Sequence, residues 1–381
     1  MRLAVVAIVV AATMVAQAFG RFTYALVLPS VQADLGISYT LAGTLGMLNL
    51  AAYLVASLGV AWLSTRLTPD LIIRIGIGIS TLGLAALWWA PGLAVIVAGM
   101  VVTGVGGAMI WIPAPGVTAS LVSPQRRSMA IGIIGTGIGL GFVSAGWVAG
   151  LVGDNWTAVY GFETVVAVVI AVLVWTLVRV PTGARTSPPS LRALGTVPGW
   201  GILLATYGGF GLSMSLFVNF FVASLDEDSG YSTASTGLIF AAFGVASIFG
   251  GPVYGAISDR VGRRRVMQTG FASMAIASLL LLAGTGPWPW IAAVVFGLAF
   301  AGVPTTTATY LRDHLSALEF GSAFGVVTLS FGLGQLMAPQ VGGWIGDAFT
   351  SFAPVFVLAA VVAILAAVAS GRLAAARSAV I

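Results

Sequence analysis

Twelve long apolar stretches, separated by short polar or Pro/Gly-rich breaks, run along the whole sequence. A transmembrane helix needs about 20 largely apolar residues, so we predict that each stretch spans a membrane. The predicted spans 1 to 12 lie at roughly 4–30, 40–64, 71–90, 93–121, 128–152, 157–179, 199–224, 233–257, 266–284, 289–311, 321–346 and 352–371. The stretches are continuous and do not alternate as barrel strands do. The predicted fold class is therefore an all-α polytopic membrane protein.

The first apolar stretch also resembles a signal peptide, with a basic Arg2 at its start and a cleavage-like Ala16-Gln17-Ala18. However, the apolar character resumes after Arg21 and continues through Leu28. Cleavage would also leave an odd number of spans. We therefore expect this segment to remain as span 1.

The composition fits a protein that faces lipid over most of its surface. Hydrophobic residues make up 59% of the chain and charged residues 7%, whereas a soluble domain carries about 25% charged residues. This difference excludes a soluble enzyme, a nucleic-acid binder and a disordered chain. The sequence has no cysteine and one histidine, His314. We therefore expect no metal site of thiolates or imidazoles, and no cofactor.

The distribution of arginine predicts the orientation, because positive loop residues stay on the cytoplasmic side. If the N-terminus is inside, every arginine except Arg21 falls in an inner loop or tail. The outer loops then carry acids instead, namely Asp34, Asp154, Asp226, Glu227, Asp228 and Asp347. We expect both termini in the cytoplasm and a multi-pass protein of the inner (plasma) membrane.

The stretch 181–198 has no apolar run, and its prolines and arginines are typical of an exposed linker. It separates 1–180 from 199–381, with six predicted spans on each side. A shift of 194 residues aligns Asp34, Gly36, Ser38, Gly43 and Arg66 with Asp228, Gly230, Ser232, Gly237 and Arg260. These matches indicate a duplicated six-helix unit. Two such halves are typical of transporters that rock around a site near the membrane midplane.

The segment after span 8 carries a recognisable motif. It reads Gly255-Ala-Ile-Ser-Asp259-Arg260-Val-Gly262-Arg263-Arg264-Arg265, which resembles the cytoplasmic loop signature of the major facilitator superfamily. Gly20-Arg21-Phe22-Thr23-Tyr24, followed by Leu28-Pro29, further resembles the YbfB/YjiJ-like bacterial branch. The resemblance covers the whole chain, and it implies two six-helix bundles in the bacterial inner membrane.

By this resemblance, Asp259, Arg260 and Arg263 latch the cytoplasmic side in the outward-facing state. The equivalent position of the first half is Thr65, which carries no charge, so we expect one latch where the superfamily has two. The alternative is that these arginines only enforce orientation.

A glycine-proline string in span 11 resembles a span 5 signature of antiporters in the superfamily. It comprises Gly334, Ala338, Pro339, Gly342 and Gly343, and its counterpart in span 5 has Gly137, Gly141 and Phe142. Small residues at these spacings also serve close helix packing. The resemblance therefore favours efflux only slightly over uptake.

Two ionisable residues fall inside predicted spans, Arg21 and Glu163. Such groups normally face the protein interior, a partner or a water-filled cavity. Gln17, Arg21 and Tyr24 recur at helical spacing and share one face, and a guanidinium binds carboxylates in a bidentate manner. This face favours an anionic solute in a central cavity. The alternative, a structural ion pair between Arg21 and Glu163, stays open.

The resemblance implies that spans 1, 4, 7 and 10 line the cavity. By position, its other candidate residues are Trp111, Ser215, Asn219, Thr305, Thr306 and Thr309, with Pro113 and Pro304 as hinges. A membrane threonine more often bonds its own backbone. Proton coupling is also implied by the resemblance, and Glu163 could carry the proton. If it pairs with Arg21, however, it stays ionised and carries protons poorly.

The predicted function is secondary active transport of a small solute, with an anion favoured, by alternating access. An uptake permease and a transporter-like sensor or scaffold without flux remain alternatives. No motif of an enzyme or an ATPase occurs in the sequence. The expected partners are the lipid bilayer, a small-molecule substrate and protons. We expect a monomer that does not bind nucleic acid.

Overall fold

In a computed structural model, residues 2–90, 92–122, 132–179 and 191–374 are described. The regular elements in these ranges are helices, and twelve of them are long and apolar enough to cross a membrane. Spans 1 to 12 are Leu3–Leu35, Tyr39–Leu63, Pro69–Trp89, Leu93–Ser120, Gly132–Val152, Trp156–Leu177, Trp200–Asp228, Thr233–Val261, Arg263–Ala283, Trp288–Arg312, Glu319–Phe349 and Ala353–Ser370. The predicted fold class and number of spans are confirmed.

Several spans are longer than the apolar stretch that predicts them. Span 1 continues to Leu35 and ends at Gly36, whose φ of 59° lies in the left-handed region that favours glycine. Span 2 begins directly afterwards, where the Ser38 side chain accepts a hydrogen bond from the Leu41 N–H. Span 7 likewise runs to Asp228. Asp34, Asp226, Glu227 and Asp228, which we expected in outer loops, therefore lie in the last turns of spans 1 and 7. The apolar stretch does not determine where a helix ends, because the capping residue does.

Several spans depart from a regular α-helix, and span 7 does so in a terminal π-helical segment, Ser224–Asp228. Span 1 is π-helical over Met14–Phe22, and span 4 is interrupted at Ile112 and Pro113 before a short helix, Ala114–Ser120. Span 9 ends in a 3₁₀ turn, Leu281–Ala283. The predicted break at Pro113 is thus present, whereas Pro304 and Pro339 lie within continuous helices.

The helix contacts repeat between the first six and the last six spans. Span 3 packs on spans 4 and 6, and span 9 packs on spans 10 and 12. Span 2 packs on span 4 as span 8 does on span 10, and span 1 packs on spans 5 and 6 as span 7 does on spans 11 and 12. We call the two groups the first and second halves. A short helix, Leu191–Leu194, precedes the second half, and 181–190 of the predicted linker lies outside the described residues.

The two halves meet along two seams of small residues, one between spans 2 and 11 and one between spans 5 and 8. In the first seam, a Cβ on Gly43 would overlap the carbonyl of Pro339, and one on Gly343 would overlap that of Tyr39. In the second, a Cβ on Gly146 would overlap the carbonyl of Gly237. Glycine is therefore required at these positions, because backbone lies directly against backbone.

Polar bonds join the halves at one end of the molecule, which we call the acidic end after Asp34, Asp154, Asp226, Glu227, Asp228 and Asp347. Asp347 of span 11 accepts from the backbone N–H groups of Tyr39 and Thr40, each at 2.8 Å. Thr233 donates to Asp154 at 2.6 Å. The opposite end carries the described arginines other than Arg21, and we call it the basic end.

We expect Gly43→Val to open the acidic end, because its side chain cannot fit against Pro339. The chain has no cysteine of its own, so a single Gln340→Cys beside the seam reports accessibility to a water-soluble thiol reagent. Its labelling rate should rise several-fold. Gly59→Val in the same span is the control, since a Cβ there meets no atom within 4 Å. Equal labelling rates in Gly43→Val and Gly59→Val would contradict the close backbone packing of spans 2 and 11 at Gly43.

Candidate functional site

The π-helical segment of span 1 places the candidate site in the middle of the membrane. In Met14–Phe22 the chain follows the wider π geometry, and the N–H of Thr23 bonds the carbonyl of Ala18, five residues earlier. Such segments are rare and occur mostly at functional sites. The segment contains both Gln17 and Arg21.

Side chains from two other spans hold the π-helical segment. Asn49 of span 2 donates through Nδ2 to the carbonyl of Gly20 at 2.9 Å. The same nitrogen also lies 2.8 Å from the carbonyl of Met100 and 3.0 Å from the hydroxyl of Thr103, both in span 4. Asn49 is buried, so it ties spans 1, 2 and 4 together beside Arg21.

Arg21 joins the two halves at the centre of the molecule. Its Nη1 donates to Oε1 of Gln17 at 3.2 Å, and its Nη2 donates to Oε1 of Gln335. Gln335 lies near the middle of span 11 and therefore belongs to the second half. The guanidinium carbon also lies 5.3 Å from the centre of the Tyr53 ring, within the range of a cation–π contact. Arg21 remains partly exposed although it sits at mid-span.

The polar contacts continue from Gln335 into span 7. The hydroxyl of Ser215 donates to the backbone carbonyl of Gln335 at 3.2 Å. Asn219 in turn donates to the carbonyl and the hydroxyl of Ser215, at 2.7 and 2.9 Å. The structure therefore brings Gln17, Arg21, Ser215 and Asn219 into one connected group that spans both halves. We call it, together with Gln335, the central polar group.

Among the described contacts, Tyr24 does not hydrogen-bond to this group, and its place on a cavity face with Gln17 and Arg21 stays a prediction. Tyr24 is buried, and its hydroxyl donates to the carbonyl of Ala42 in span 2 at 2.9 Å.

Arg21 and Glu163 do not form the structural pair that the sequence left open. Glu163 is fully buried in span 6, and its Oε1 accepts from the hydroxyl of Thr23. Its second oxygen, Oε2, is buried without a hydrogen-bond partner. Thr23 caps the π segment, so this carboxyl group contacts the site through the end of the same segment.

Five phenylalanines from both halves pack together, and one of them, Phe22, has its ring centre 5.2 Å from the guanidinium carbon of Arg21. They are Phe22 of span 1, Phe142 of span 5, Phe240 and Phe243 of span 8, and Phe300 of span 10, and we call them the aromatic cluster. Phe142 is central, with ring centroids 5.1 to 5.7 Å from the other four. This residue stands where the antiporter signature has proline, so the departure from that signature has a packing role. The cluster adds apolar contact between the halves.

The candidates in spans 4 and 10 lie apart from the central polar group. The hydroxyls of Thr305, Thr306 and Thr309 each donate to a carbonyl of their own helix at 2.9 to 3.0 Å. Thr305 and Thr309 remain partly exposed, as does Trp111. The threonines therefore satisfy their own helix, which is the alternative that the sequence suggested.

The basic end carries the predicted motif, but the motif is helical. Gly255, Asp259 and Arg260 lie in span 8 and Arg263 begins span 9, so only Gly262, with φ of 93°, breaks the helix. Arg263 pairs with Asp259, and its Nε donates to Asp313 of span 10 at 3.0 Å. The ion pairs of the motif therefore lie within the second half.

The remaining glycines of the two strings serve helix packing. A Cβ on Gly137 would overlap the carbonyl of Val10, and one on Gly141 would overlap Ala18, so span 5 lies tightly on span 1. A Cβ on Gly342 would overlap the ring of Phe220 in span 7. Thus these residues bring spans into contact and do not reach the central polar group.

The sequence assigns no partner to Asn49 or Gln335, and it gives no sign of the role of Tyr53 or of the contact of Thr23 with Glu163. The one available signal was an amide inside an apolar span, since a buried polar group needs a hydrogen-bond partner. Such a signal does not identify the partner, and the partner of Gln335 lies 314 positions away in the sequence.

Comparison with known proteins shows which family has this architecture. The family described as "Uncharacterised MFS-type transporter YbfB" matches residues 13–371. The chain is 26% identical over 261 residues to the uncharacterized MFS-type transporter YfkF of Bacillus subtilis, covering 65% of each protein. It is 28% identical over 236 residues to the probable nitrate/nitrite transporter NarK2 of Mycobacterium tuberculosis, covering 58% of each. The chain spans about half to two thirds of the length of the first curated relatives it matches.

Among solved structures, a bacterial homologue of the human lysosomal transporter Spinster, described as inward-facing and unoccupied, superimposes with a TM-score of 0.80. The sequences are 16% identical, and the match covers 97% of this chain and 96% of that one. The fold and the family are those of secondary transporters of small solutes, which are embedded in the lipid bilayer and are not enzymes. The chain belongs to the YbfB family of the major facilitator superfamily.

We expect Asn49→Ala to destabilise the protein, because it removes the buried hydrogen bonds to Gly20, Met100 and Thr103. Bonds between membrane helices contribute about 0.6 to 2 kcal/mol each, so the loss should be of the order of 1–2 kcal/mol. Unfolding in detergent followed by circular dichroism measures it. Thr176→Ala, at an exposed position of span 6, is the control. An unchanged unfolding midpoint for Asn49→Ala would show that the hydrogen bonds of Asn49 do not contribute to stability.

Proposed function

We propose that this protein moves a small solute across the membrane by alternating access, with the central polar group as the solute site. The observation that carries the proposal is the bond between Arg21 and Gln335. It joins the two halves at mid-membrane, and it includes a charged group that is still partly exposed. A charged residue at this depth normally marks a substrate or ion pathway.

The halves, 1–180 and 199–381 with 181–198 as linker, would rock against each other around this site. Both seams and the polar bonds of Asp347 and Asp154 hold the halves together towards the acidic end. A solute would therefore reach Arg21 from the basic end in this state. By the positive-inside rule the basic end and both termini are cytoplasmic. The inward-facing state of the Spinster homologue agrees with this interpretation.

Proton coupling is the energy source that we propose, with Glu163 as the proton-binding group. A carboxyl that is fully buried, with one oxygen lacking any partner, is costly to hold as an anion. Its bond to Thr23 connects it to the π segment that carries Arg21. Protonation would change the contact at Thr23 and thereby the position of that segment.

Asp259, Arg260 and Arg263 would act as the cytoplasmic latch when the basic end closes. In the state described here Arg263 is occupied by Asp259 and Asp313. Export, as opposed to uptake, rests on the resemblance of span 11 to the antiporter signature. The relatives do not share one solute, since one is named for nitrate and nitrite and another, from Escherichia coli, for tetracycline resistance.

We expect Arg21→Ala to abolish transport while the protein is recovered folded at normal yield. Proteoliposomes would be screened for uptake of labelled acetate, benzoate, nitrate, glucose and tetracycline. Arg66→Ala is the matched control, because Arg66 packs on Trp62 at the basic end, far from the centre. Full activity of Arg21→Ala would remove it from the site. Binding without flux in the unmodified protein would favour a sensor or scaffold.

We expect Glu163→Gln to lose accumulation driven by a pH gradient while it retains exchange of labelled for unlabelled solute. The amide keeps the bond to Thr23 but cannot take up a proton. Glu319→Gln, which alters an exposed helix cap of span 11, should retain both activities. Gradient-driven accumulation at the normal rate in Glu163→Gln would exclude Glu163 as the coupling group.

A further inference from the structure

Arg21 has no carboxylate partner in the structure. Among the described residues, the ion pairs join Asp70 to Arg74 and Arg263 to Asp259 and Asp313, all at the basic end. Glu163, the other ionisable group in the interior, bonds Thr23 instead. A cation inside the membrane without a counter-charge is costly. The centre of the molecule therefore favours the arrival of a negative charge.

The groups around Arg21 also lack hydrogen-bond acceptors. Nε2 of Gln17, Nε2 of Gln335 and Nε of Arg21 are buried without a partner. Both amide oxygens already accept from Arg21, so the amide groups present N–H donors alone to any further ligand. The ligand that completes such a site brings oxygens and no hydrogen of its own.

We propose that the solute of this site is a small planar oxyanion, either a carboxylate or nitrate, that binds Arg21 in place of the Gln335 amide oxygen. This inference rests on the proposed function, because it names the chemical class of the solute. A planar anion presents two oxygens to one edge of the guanidinium, which is the geometry of bidentate binding. The freed Gln335 and the Gln17 amide then donate to the remaining oxygens.

Gln335 has a particular role in this arrangement. In the structure its amide oxygen takes the acceptor position that the anion would occupy, and it holds spans 1 and 11 together. A glutamate there would place a tethered carboxylate of nearly the same length on Arg21. It should occupy the site permanently. A leucine would remove the competing oxygen and leave Arg21 available.

The test measures thermal unfolding of the purified full chain in detergent at constant ionic strength. The probes are sodium acetate, benzoate and nitrate, with acetamide, benzamide and choline chloride as neutral and cationic counterparts. At least one anion should raise the midpoint in a saturable manner, whereas its amide should not. Gln335→Leu should retain a response to the anion that is weaker, because Arg21 stays available but the Gln335 amide donor is lost. Gln335→Glu should raise the Kd at least about tenfold, because it competes for a charge-assisted bond, and should raise the midpoint without ligand.

Two results would overturn the proposal. One is a response to a neutral or cationic probe that equals or exceeds that to the anions; the other is no response to any of the three anions up to tens of millimolar. If Gln335→Glu does not fold, the midpoint shifts caused by each anion and its amide still test the proposal. They are compared on the unmodified protein and on Gln335→Leu. Flux of glucose or choline in proteoliposomes would support the proposed transport function and contradict an anionic solute. Anion binding without flux would keep the anion site and reject the transporter.

Discussion

A positive charge held in the middle of a membrane is the constraint on which the central architecture depends. Hydrocarbon does not solvate a guanidinium, so protein groups must surround it. Here Gln17 and Gln335 supply the oxygens and Tyr53 an aromatic face. Because Gln335 belongs to the second half, the solvation of Arg21 depends on both halves being in contact. Any movement that separates spans 1 and 11 must therefore supply another partner for this charge.

The π-helical segment of span 1 connects the two ionisable groups of the interior. Arg21 faces span 11 and Thr23 faces Glu163 in span 6, because residues two positions apart in a helix do not share a face. Asn49 of span 2 donates to the carbonyl of Gly20 within the segment. The segment is thus stabilised by side chains from spans 2 and 6. In the proposed mechanism, a change at Glu163 would reach Arg21 along the backbone.

Most of the fold could be predicted from the sequence, because a span needs a run of apolar residues that is visible in composition. The helix ends deviated where caps such as Gly36 decide the boundary. The charged residue of the site could be predicted too, since Arg21 contrasts with its surroundings. Its partner could not, because no local pattern determines which residue of a distant helix lies opposite. The π segment could not be predicted either, because it has no distinctive composition.

Each half is cross-linked internally at the depth of Arg21. In the first half Asn49 bonds spans 1, 2 and 4 to one another, and in the second the hydroxyl of Ser215 bonds span 7 to span 11. A displacement of Arg21 would therefore not bend span 1 alone, because hydrogen bonds connect span 1 to spans 2 and 4. In alternating access each half would therefore move as one body about the contact at Arg21.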